Sequence, residues 1–441
     1  MAVRKQSGKV RRGREPLIMT EAIKTTAPES LPQKLTTSAW APLHEPLFRS
    51  LWIAAVISYT GTWMQNVGAG WLMTQLTLSP LMVSLVTAAT TLPVFLVILP
   101  AGALADLVDR RRFLLITQSW MVVAAGVLGV LTLYHQVTPW MLLLFTFILG
   151  LGAVMNDPAW QAITPEVVRP ENHAPAVALN SVGFNVARAF GPALGGLVIA
   201  AAGSGVAFLL NAASFFGVIF FLYRWKRPHY EQVESGRVLD ALVAGLRYVR
   251  GAPQVRSILI RTGAFSLAAS SLPALLPILA RPHGATGYGL LLGFFGLGAL
   301  AGAAVLPRVR MRFSVNRLVA FDILLFAAMT FAAGRVQTFS LLCLVLFASG
   351  TAWIGILACL NIAAQTMCPS FLRARALSMY LLVLQGGMAV GSTVWGGLAT
   401  RAGVPTALLW SAVAMVVGLL AVRRHRLTSQ QWDLTPSVVR D

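Results

Sequence analysis

Charged residues are scarce in this sequence. Only 11% of its 441 residues are Asp, Glu, Lys or Arg, and 56% are hydrophobic, whereas an average soluble domain has roughly 25% charged residues. This scarcity excludes a protein that has water as its main solvent. A lipid bilayer is the solvent that such a composition fits.

Cysteine is rare as well. Cys343, Cys359 and Cys368 fall in or directly after one apolar segment, and three cysteines in such surroundings do not form a disulfide framework. Neither they nor the six scattered histidines have the spacing of a metal site. The sequence has no Gly-x-x-x-x-Gly-Lys-Ser/Thr phosphate loop and no nucleophile, base and orienting group at a meaningful spacing. We therefore predict neither an enzyme nor an ATP-driven pump, and no cofactor.

Long apolar segments make up most of the chain. Segments of 18 or more residues recur about twelve times, and each is long enough to cross a hydrocarbon core of about 30 Å as a helix. We predict transmembrane helices near residues 47–74, 80–105, 113–133, 139–162, 174–202, 205–223, 255–280, 286–306, 315–334, 337–367, 374–401 and 404–422.

Acidic residues are outnumbered by basic ones. The chain has 35 Lys and Arg against 15 Asp and Glu, a net charge of +20. Most of the basic residues flank one set of predicted helix ends, and the opposite ends hold only Arg281, Arg335 and Arg401. Because Lys and Arg are enriched in cytoplasmic loops, we expect both termini in the cytoplasm. This topology accounts for the charge, so we expect the lipid bilayer and no nucleic acid as a partner.

Two parts of the chain have matching sequences. Residues 102–113 (GALADLVDRRRF) align without a gap with residues 302–313 (GAAVLPRVRMRF), and Gln161-x-x-x-Pro165-x-x-x-Arg169 recurs as Gln365-x-x-x-Pro369-x-x-x-Arg373. Duplicated helical bundles are typical of secondary transporters. The predicted fold is an all-α integral membrane protein with twelve transmembrane helices in two pseudo-symmetric six-helix bundles.

A long polar stretch separates the two halves. Within it, apolar residues on one face of segment 238–250 predict an amphipathic helix along the cytoplasmic interface. We predict a disordered basic cytoplasmic tail at residues 1–45 and an N-terminal six-helix bundle at 46–224. A cytoplasmic linker that contains this helix follows at 225–254. The C-terminal six-helix bundle is at 255–423, and a second cytoplasmic tail is at 424–441.

One of the matching stretches resembles a known loop motif. Residues 102–112 are similar to the G-x-L-a-D-r-x-G-r-r motif between the second and third helices of the major facilitator superfamily. Leu107 and Asp109 depart from the pattern, and the matching residues are Gly102, Leu104, Ala105, Asp106, Arg110 and Arg111. The resemblance implies the major facilitator fold and alternating access to a central site between the halves.

The same motif predicts a conformational gate. A carboxylate at the end of the second helix can accept hydrogen bonds from nearby arginines and from the positive N-terminus of a neighbouring helix. The resemblance implies that this neighbour is the eleventh helix, near Arg373. We predict a gate on the cytoplasmic side formed by Gly102, Asp106, Arg110 and Arg111. In the alternative interpretation, the arginines only set the topology.

A second motif lies in the fifth predicted helix. Gly191, Pro192, Gly195 and Gly196 resemble the G-P-x-x-G-G motif associated with antiporters of the superfamily. Small residues let helices approach closely and proline permits a bend. The motif favours export, and the alternative is ordinary helix packing.

Two longer stretches narrow the resemblance to one branch. Residues 61–72 and 180–192 are similar to the bacterial branch that includes the enterobactin exporter and related transmembrane secretion permeases. The resemblance implies a multi-pass protein of the bacterial inner (cytoplasmic) membrane. We expect it to function as a monomer.

Polar side chains within the apolar segments are candidates for the substrate cavity. Thr62, Gln65 and Asn66 lie among aromatic residues of the first helix, and Asn185 and Arg188 lie in the fifth. Polar groups beside aromatics suit an organic ligand, and an intramembrane arginine favours an anionic or carbonyl-rich one. Interhelical hydrogen bonds, or a buried ion pair without substrate, are the alternatives.

Two acids are candidates for proton coupling. Asp157 follows Asn156 near the inner end of the fourth helix, where it can bind a proton or only cap and bend the helix. Asp322 lies about five residues into the ninth helix, and an intramembrane acid is a default proton-site candidate. The family resemblance, however, puts the ninth helix outside the cavity.

The leading hypothesis is proton-coupled export of a small organic molecule, siderophore-like or drug-like. A proton-symport importer of a small metabolite is the close alternative. A membrane sensor or scaffold that binds ligand without moving it is the alternative from a different class.

Overall fold

The computed structural model describes residues 38–107, 109–225, 253–366 and 373–422. These residues form α-helices joined by short connections, with no β-strand among them. The helices are α1 (Pro46–Leu76), α2 (Pro80–Leu107), α3 (Arg110–Leu133), α4 (Pro139–Ile163), α5 (His173–Arg224), α6 (Pro253–Ala269), α7 (Ser271–Leu279), α8 (Gly284–Arg310), α9 (Val315–Ala333), α10 (Phe339–Thr366), α11 (Arg373–Ala402) and α12 (Val404–Ala421).

The structure differs from the predicted helix boundaries at two places. α5 contains both the fifth and the sixth predicted segments, which meet at Gly203, where φ is +83° and the helical path breaks. The seventh predicted segment is instead divided into α6 and α7 at Ser270. Pro273 lies just beyond that break and has no N–H with which to continue the hydrogen-bond ladder.

Nine stretches of the described residues are long and apolar enough to cross a membrane. Two of them are of double length: Pro170–Arg224 includes α5, and Val255–Arg310 runs from α6 to α8. Helix α1 is long enough but is not among the nine, because polar residues such as Gln65 and Asn66 lower its hydropathy. The count of twelve membrane crossings therefore stays a prediction.

Helix packing divides the described chain into two groups. In the first half, α1 and α3 pack on α5, and α2 and α3 pack on α4. In the second half, α8 and α9 pack on α10, α6 packs on α11 and α9 packs on α12. Two seams join the halves, one between α2 and α11 and the other between α5 and α8.

Each half has its own apolar core. In the second half the ring of Trp353 lies 5.5 Å from those of Phe265 and Phe326, measured between centroids. In the first half Phe208 and Phe215 are fully buried in a cluster with Leu128.

The bundle has two ends that differ in packing. We call the end where α1 finishes at Leu76 and α11 finishes at Ala402 the closed side, because contacts between the halves gather there. We call the other end, where α4 finishes at Ile163 and α5 begins at His173, the open side. The contacts along the α5–α8 seam run from Gly196 and Gly289 near the closed side to about Arg188, midway along.

Part of the predicted N-terminal tail is folded. Ala41–His44 form a 3₁₀ helix, and the Glu45 carboxylate accepts hydrogen bonds from the Arg169 N–H at 3.2 Å and from Asn172 Nδ2 at 2.6 Å. The prediction of disorder was therefore wrong for residues 41–45. The rest of that tail up to residue 37, the linker helix at 238–250 and the tail at 424–441 lie outside the described residues.

Candidate functional site

A cavity of about 450 Å³ lies toward the open side of the first half. It is within the size range of small-molecule sites, roughly 300–1,000 Å³. Its walls come from α1, the end of α4 and the first part of α5, and they include Tyr59, Asp157, Trp160, Gln161, Thr164, Val177, Asn180, Ser181, Phe184 and Asn185.

The polar side of the cavity follows helical spacing. Asp157, Gln161 and Thr164 are separated by four and three residues, so they share one face of the end of α4. Asn180 Nδ2 donates to Thr164 Oγ1 at 2.9 Å and fixes α5 to this end. Asn185 Nδ2 donates to the Ser181 carbonyl at 2.8 Å. Among the described residues no donor bonds to the Asn185 side-chain oxygen, so it is available as an acceptor.

The apolar side is aromatic and adjoins a cation. The ring of Phe184 meets Tyr59 and Trp63 edge-on, with centroids 5.4 and 6.4 Å apart. The Arg188 guanidinium carbon lies 5.9 Å from the centroid of the Trp63 ring. Arg188 is one helical turn beyond Phe184, so it lies at the inner end of this aromatic wall.

The predicted cavity residues divide between two environments. Asn185 lines the cavity, and Arg188 adjoins it through Trp63 and Phe184. Thr62, Gln65 and Asn66 lie farther along α1 than Tyr59, away from the open side. Thr62 Oγ1 donates to the Ser58 carbonyl at 3.0 Å, and the buried Gln65 Oε1 accepts from Asn211 Nδ2 in the second part of α5. The observed contact of Gln65 is therefore an interhelical hydrogen bond, which was the alternative to a place in the substrate cavity.

The two candidate acids lie in different places. Asp157 lines the cavity. Asp322 lies between α9 and α10 in the second half, with its carboxylate directly against Gly355. Asn156, next to Asp157, accepts from Gln118 Nε2 at 2.9 Å and ties α4 to α3.

The gate residues are described in part. Gly102 and Asp106 belong to α2, but the surroundings of Gly102 and the side chain of Asp106 lie outside the described part of the structure. Arg110 Nη1 donates to Glu166 Oε1 at 3.0 Å. Arg111 donates to the carbonyls of Leu222 at 2.8 Å and Tyr223 at 2.7 Å, at the C-terminus of α5. These contacts of both arginines are made within the first half.

Asp109 and Glu166 both bond to the arginine-rich start of α3, and the contact of Glu166 was not predicted. Asp109 Oδ1 accepts from the Arg112 N–H at 2.9 Å and so caps α3. Glu166 lies between Pro165 and Arg169 of the duplicated Gln-x-x-x-Pro-x-x-x-Arg pattern. The connection between α4 and α5 holds two acids, Glu166 and Glu171, against one base, Arg169. Acids on the otherwise basic side of the molecule were the signal that could have identified Glu166.

The motif of the fifth predicted helix makes two different contacts. A Cβ on Gly191 would lie 2.7 Å from Trp63 Cβ, and one on Gly195 would lie 2.8 Å from Met64 Cα, so both glycines face α1. A Cβ on Gly196 would lie 2.9 Å from Gly289 Cα in α8. The carbonyl of Pro192 also faces Gly289. The motif therefore packs α5 against α1 and, across the seam, against the second half.

Arg281 makes a contact at the closed side that was not predicted. Its Nη2 donates to the carbonyls of Thr77 at 2.8 Å and Thr74 at 3.2 Å, where α1 ends. Its Nε is buried without a partner among the described residues. Close by, the Leu81 N–H donates to Thr400 Oγ1 at 3.1 Å. Arg281 was visible in the sequence as one of three basic residues on the sparsely charged side.

Comparison with known proteins covers nearly the whole chain. The family model described as transmembrane secretion effector matches residues 37–439. The enterobactin exporter EntS of Salmonella choleraesuis (strain SC-B67) is 26% identical over 87% of this chain and 94% of that protein. The multidrug efflux pump Tap of Mycolicibacterium fortuitum is 28% identical over 85% and 94%. The staphyloferrin A transporter of Staphylococcus aureus (strain NCTC 8325 / PS 47) is 24% identical over 58% and 66%.

Solved structures share the fold at lower identity. A bacterial homologue of the human lysosomal transporter Spinster, in an inward-facing and unoccupied conformation, has a TM-score of 0.67 and 14% identity over 87% of this chain and 99% of that one. The nucleoside transporter NupG has a TM-score of 0.66 and 15% identity over 86% and 99%.

Proposed function

This chain belongs to the transmembrane secretion effector family of the major facilitator superfamily, and from that premise we propose that it exports a small organic molecule in exchange for protons. The cargo is siderophore-like or drug-like. The two halves move between inward-open and outward-open states, which is alternating access. The membrane is the bacterial cytoplasmic membrane, and the monomer is the working unit.

The observation that carries this proposal is a cavity at one side of a bundle whose halves meet at the other side. The closed side has the bonds of Arg281 to the end of α1, the contact of Gly196 with Gly289, and the bond from Leu81 to Thr400. Such an arrangement suits a transporter that is open to one compartment. These contacts have to break when the closed side opens.

The charges of the connections orient the molecule in this proposal. Arg110, Arg111 and Arg169 lie at the open side, and basic residues favour the cytoplasm. The open side is then cytoplasmic and the conformation is inward-facing. Both termini lie in the cytoplasm as well. A gate that includes Gly102, Asp106, Arg110 and Arg111 closes this side in the opposite state.

Asp157 is the proton site in this mechanism. It lines the cavity, where cargo and proton compete for the same space, whereas Asp322 is packed between α9 and α10. A proton arriving from outside binds the Asp157 carboxylate after the cargo has left. The proton is released to the cytoplasm when the cavity opens inward, and new cargo then binds.

Export, and not import, is supported by the names of the relatives. Two of them are described as an exporter and an efflux pump. The close packing around Gly191, Gly195 and Gly196 fits the antiporter motif that these residues resemble. Siderophores and drugs are what the relatives are named for, and we extend that range of cargo to this chain.

Accumulation in a sensitised bacterial strain that lacks its own exporters tests the proposal. Cells with and without this protein are given catecholate siderophores, antibiotics and dyes, with and without a proton uncoupler. We expect lower accumulation of one compound or group of compounds, and the uncoupler should abolish the difference. An Asp157→Asn variant should also abolish it.

Two results would contradict this function. Higher accumulation in cells with the protein would mean import by symport. Saturable binding of a compound to the purified protein, without any flux of it in liposomes, would mean a sensor or scaffold. A pH-sensitive dye in the same liposomes reports the direction in which protons move during cargo flux. Protons that move opposite to the cargo indicate antiport, and protons that move with it indicate symport.

A further inference from the structure

We propose that Arg188 forms an anion-binding subsite at the inner end of the cavity, and that the cargo is an organic anion with an aromatic body. The assignment of this ligand as cargo rests on the proposed function. The subsite itself rests on the surroundings of Arg188 in the described structure, and binding measurements test it without any transport.

Arg188 lies deep in the first half of the molecule. It lies fifteen residues after His173, the first residue of α5, which at 1.5 Å per residue is about 22 Å from the open side. A guanidinium at that depth is costly unless a counter-charge or an aqueous cavity compensates it. Among the described residues no carboxylate forms an ion pair with Arg188. An anionic ligand would supply the missing counter-charge.

The backbone and the side chain of Arg188 have different neighbours. The backbone of Arg188 packs against α8, since a Cβ on Gly296 would lie 3.3 Å from the Arg188 carbonyl oxygen. Its guanidinium instead lies near Trp63 of α1. Proximity to an aromatic face stabilises a guanidinium. Its N–H groups can still bind a planar or tetrahedral anion with two parallel hydrogen bonds.

An aromatic wall leads from the cavity to Arg188. Phe184 touches the rings of both Tyr59 and Trp63, and Phe184 and Tyr59 line the cavity. A flat aromatic body fits beside these rings with its charged group toward Arg188. Asn185, one turn nearer the open side, offers its side-chain oxygen to a hydroxyl or amide of the same ligand.

Among the residues that the structure describes, Asp157 is the only acid in the cavity wall. Asp157 lies six residues before Ile163, the end of α4, which is about 9 Å from the open side. The carboxylate and the guanidinium therefore differ in depth by about 13 Å. An anionic group at Arg188 is kept apart from Asp157, and the aromatic body lies between them.

Two probes of the same shape test the charge preference. 8-Anilinonaphthalene-1-sulfonate is anionic, and N-phenyl-1-naphthylamine has the same rings without the sulfonate. Each is titrated by fluorescence into the full chain in lipid nanodiscs, with empty nanodiscs subtracted. We expect saturable binding of the sulfonate that is weakened about tenfold or more by Arg188→Gln, the size of effect that loss of a charged hydrogen bond gives. Binding of the neutral probe should stay unchanged.

Matched variants separate this effect from general damage. Arg335→Gln removes an arginine that also lies over an aromatic ring, 5.6 Å from the centroid of Phe331, but outside the cavity; it should bind both probes like the wild type. Arg188→Lys should retain part of the sulfonate binding. Asn185→Asp places a negative charge one turn from Arg188 and should weaken binding of the sulfonate but not of the neutral probe. This variant replaces Arg188→Gln in the test if Arg188→Gln does not fold.

The proposal is overturned if Arg188→Gln and Asn185→Asp leave sulfonate binding unchanged, or if they weaken both probes equally. Failure of the proposed function has a different signature. If the sulfonate binds through Arg188 but no anion is exported, the subsite stands and the transport assignment fails. If proton-driven export of cations or neutral compounds persists in Arg188→Gln while sulfonate binding is unaffected, the transport assignment stands and the subsite fails.

Discussion

Nη2 of Arg281 lies 2.8 Å from the carbonyl oxygen of Thr77, and this hydrogen bond joins the second half of the molecule to the end of α1. The last carbonyls of a helix lack partners within the helix and carry its partial negative charge. A guanidinium from the other half satisfies two of them at once, since Thr74 is bonded as well. The contact therefore stabilises the conformation in which this side is closed.

Replacing this arginine should shift the molecule toward opening at the closed side. Hydrogen bonds to a charged group contribute about 1.5–3 kcal/mol, so Arg281→Ala should raise the ratio of open to closed molecules about tenfold or more. This ratio can be measured by electron paramagnetic resonance, from the distance between spin labels attached at Leu78→Cys and Arg401→Cys. The native cysteines are replaced by alanine for this experiment. A longer-distance population should grow.

The control for this prediction lies on the same side. Arg335 follows α9 and is in contact with the ring of Phe331, which belongs to its own half. Arg335→Ala should leave the distance distribution as in the wild type. An Arg281→Ala distribution identical to the wild type would show that this contact does not hold the closed side.

Close packing at the α5–α8 seam predicts a second effect. A Cβ on Gly196 would lie 2.7 Å from the Ala285 carbonyl oxygen and 2.9 Å from Gly289 Cα. Because both neighbours are backbone atoms, Gly196→Ala should force the helices apart and cost about 1–3 kcal/mol. We expect a lower melting temperature of the purified protein and slower transport.

Gly397 provides a matched glycine for this experiment. It is the second residue of the Gly396-Gly397 pair in α11, as Gly196 is the second residue of the Gly195-Gly196 pair in α5, yet a Cβ there would have no described atom within 4 Å. Gly397→Ala should leave the melting temperature and transport unchanged. Equal losses in both variants would mean that the seam has no special requirement at Gly196.

The two intramembrane acids should respond differently to neutralisation. Asp157→Asn neutralises the carboxylate that we propose as the proton site, so a pH gradient should no longer drive cargo across liposomes, although cargo binding and exchange should remain. Asp322→Asn changes a residue packed against Gly355 and should leave coupling intact. Proton flux reported by a pH-sensitive dye distinguishes the two, and coupling that survives in Asp157→Asn would exclude this residue as the proton site.

Arg111 should contribute to the stability of the first half. It binds the carbonyls of Leu222 and Tyr223 at the C-terminus of α5. Arg111→Ala should lower stability by about 1–3 kcal/mol, because charged hydrogen bonds to a helix end are lost. Thermal unfolding measures the change. The adjacent exposed arginine gives the comparison: Arg112→Ala should unfold within a degree or two of the wild type, and a similar loss in both variants would contradict the role of Arg111.

Segment positions follow closely from the sequence, and the site follows only in part. The predicted segment 80–105 is α2 (Pro80–Leu107), and 404–422 is α12 (Val404–Ala421). The break between α6 and α7 was missed, although Pro273 marks it. Asp157 and Asn185, predicted for different roles, line one cavity. Gln65 was predicted beside them, but its amide bonds to Asn211, which no local pattern indicates.

The sequence by itself determined the solvent, the helical class, the duplication and the family of this protein. Hydropathy and helix length add up along the chain, and motif residues keep their order, so these properties are local. Only the tertiary structure decided which polar groups meet, as in the pairs of Arg281 with Thr77 and Gly196 with Gly289. Successive residues of a helix point about 100° apart, and packing against distant segments fixes the rotation of each helix. That rotation placed Asp157 at the cavity and Asp322 against Gly355.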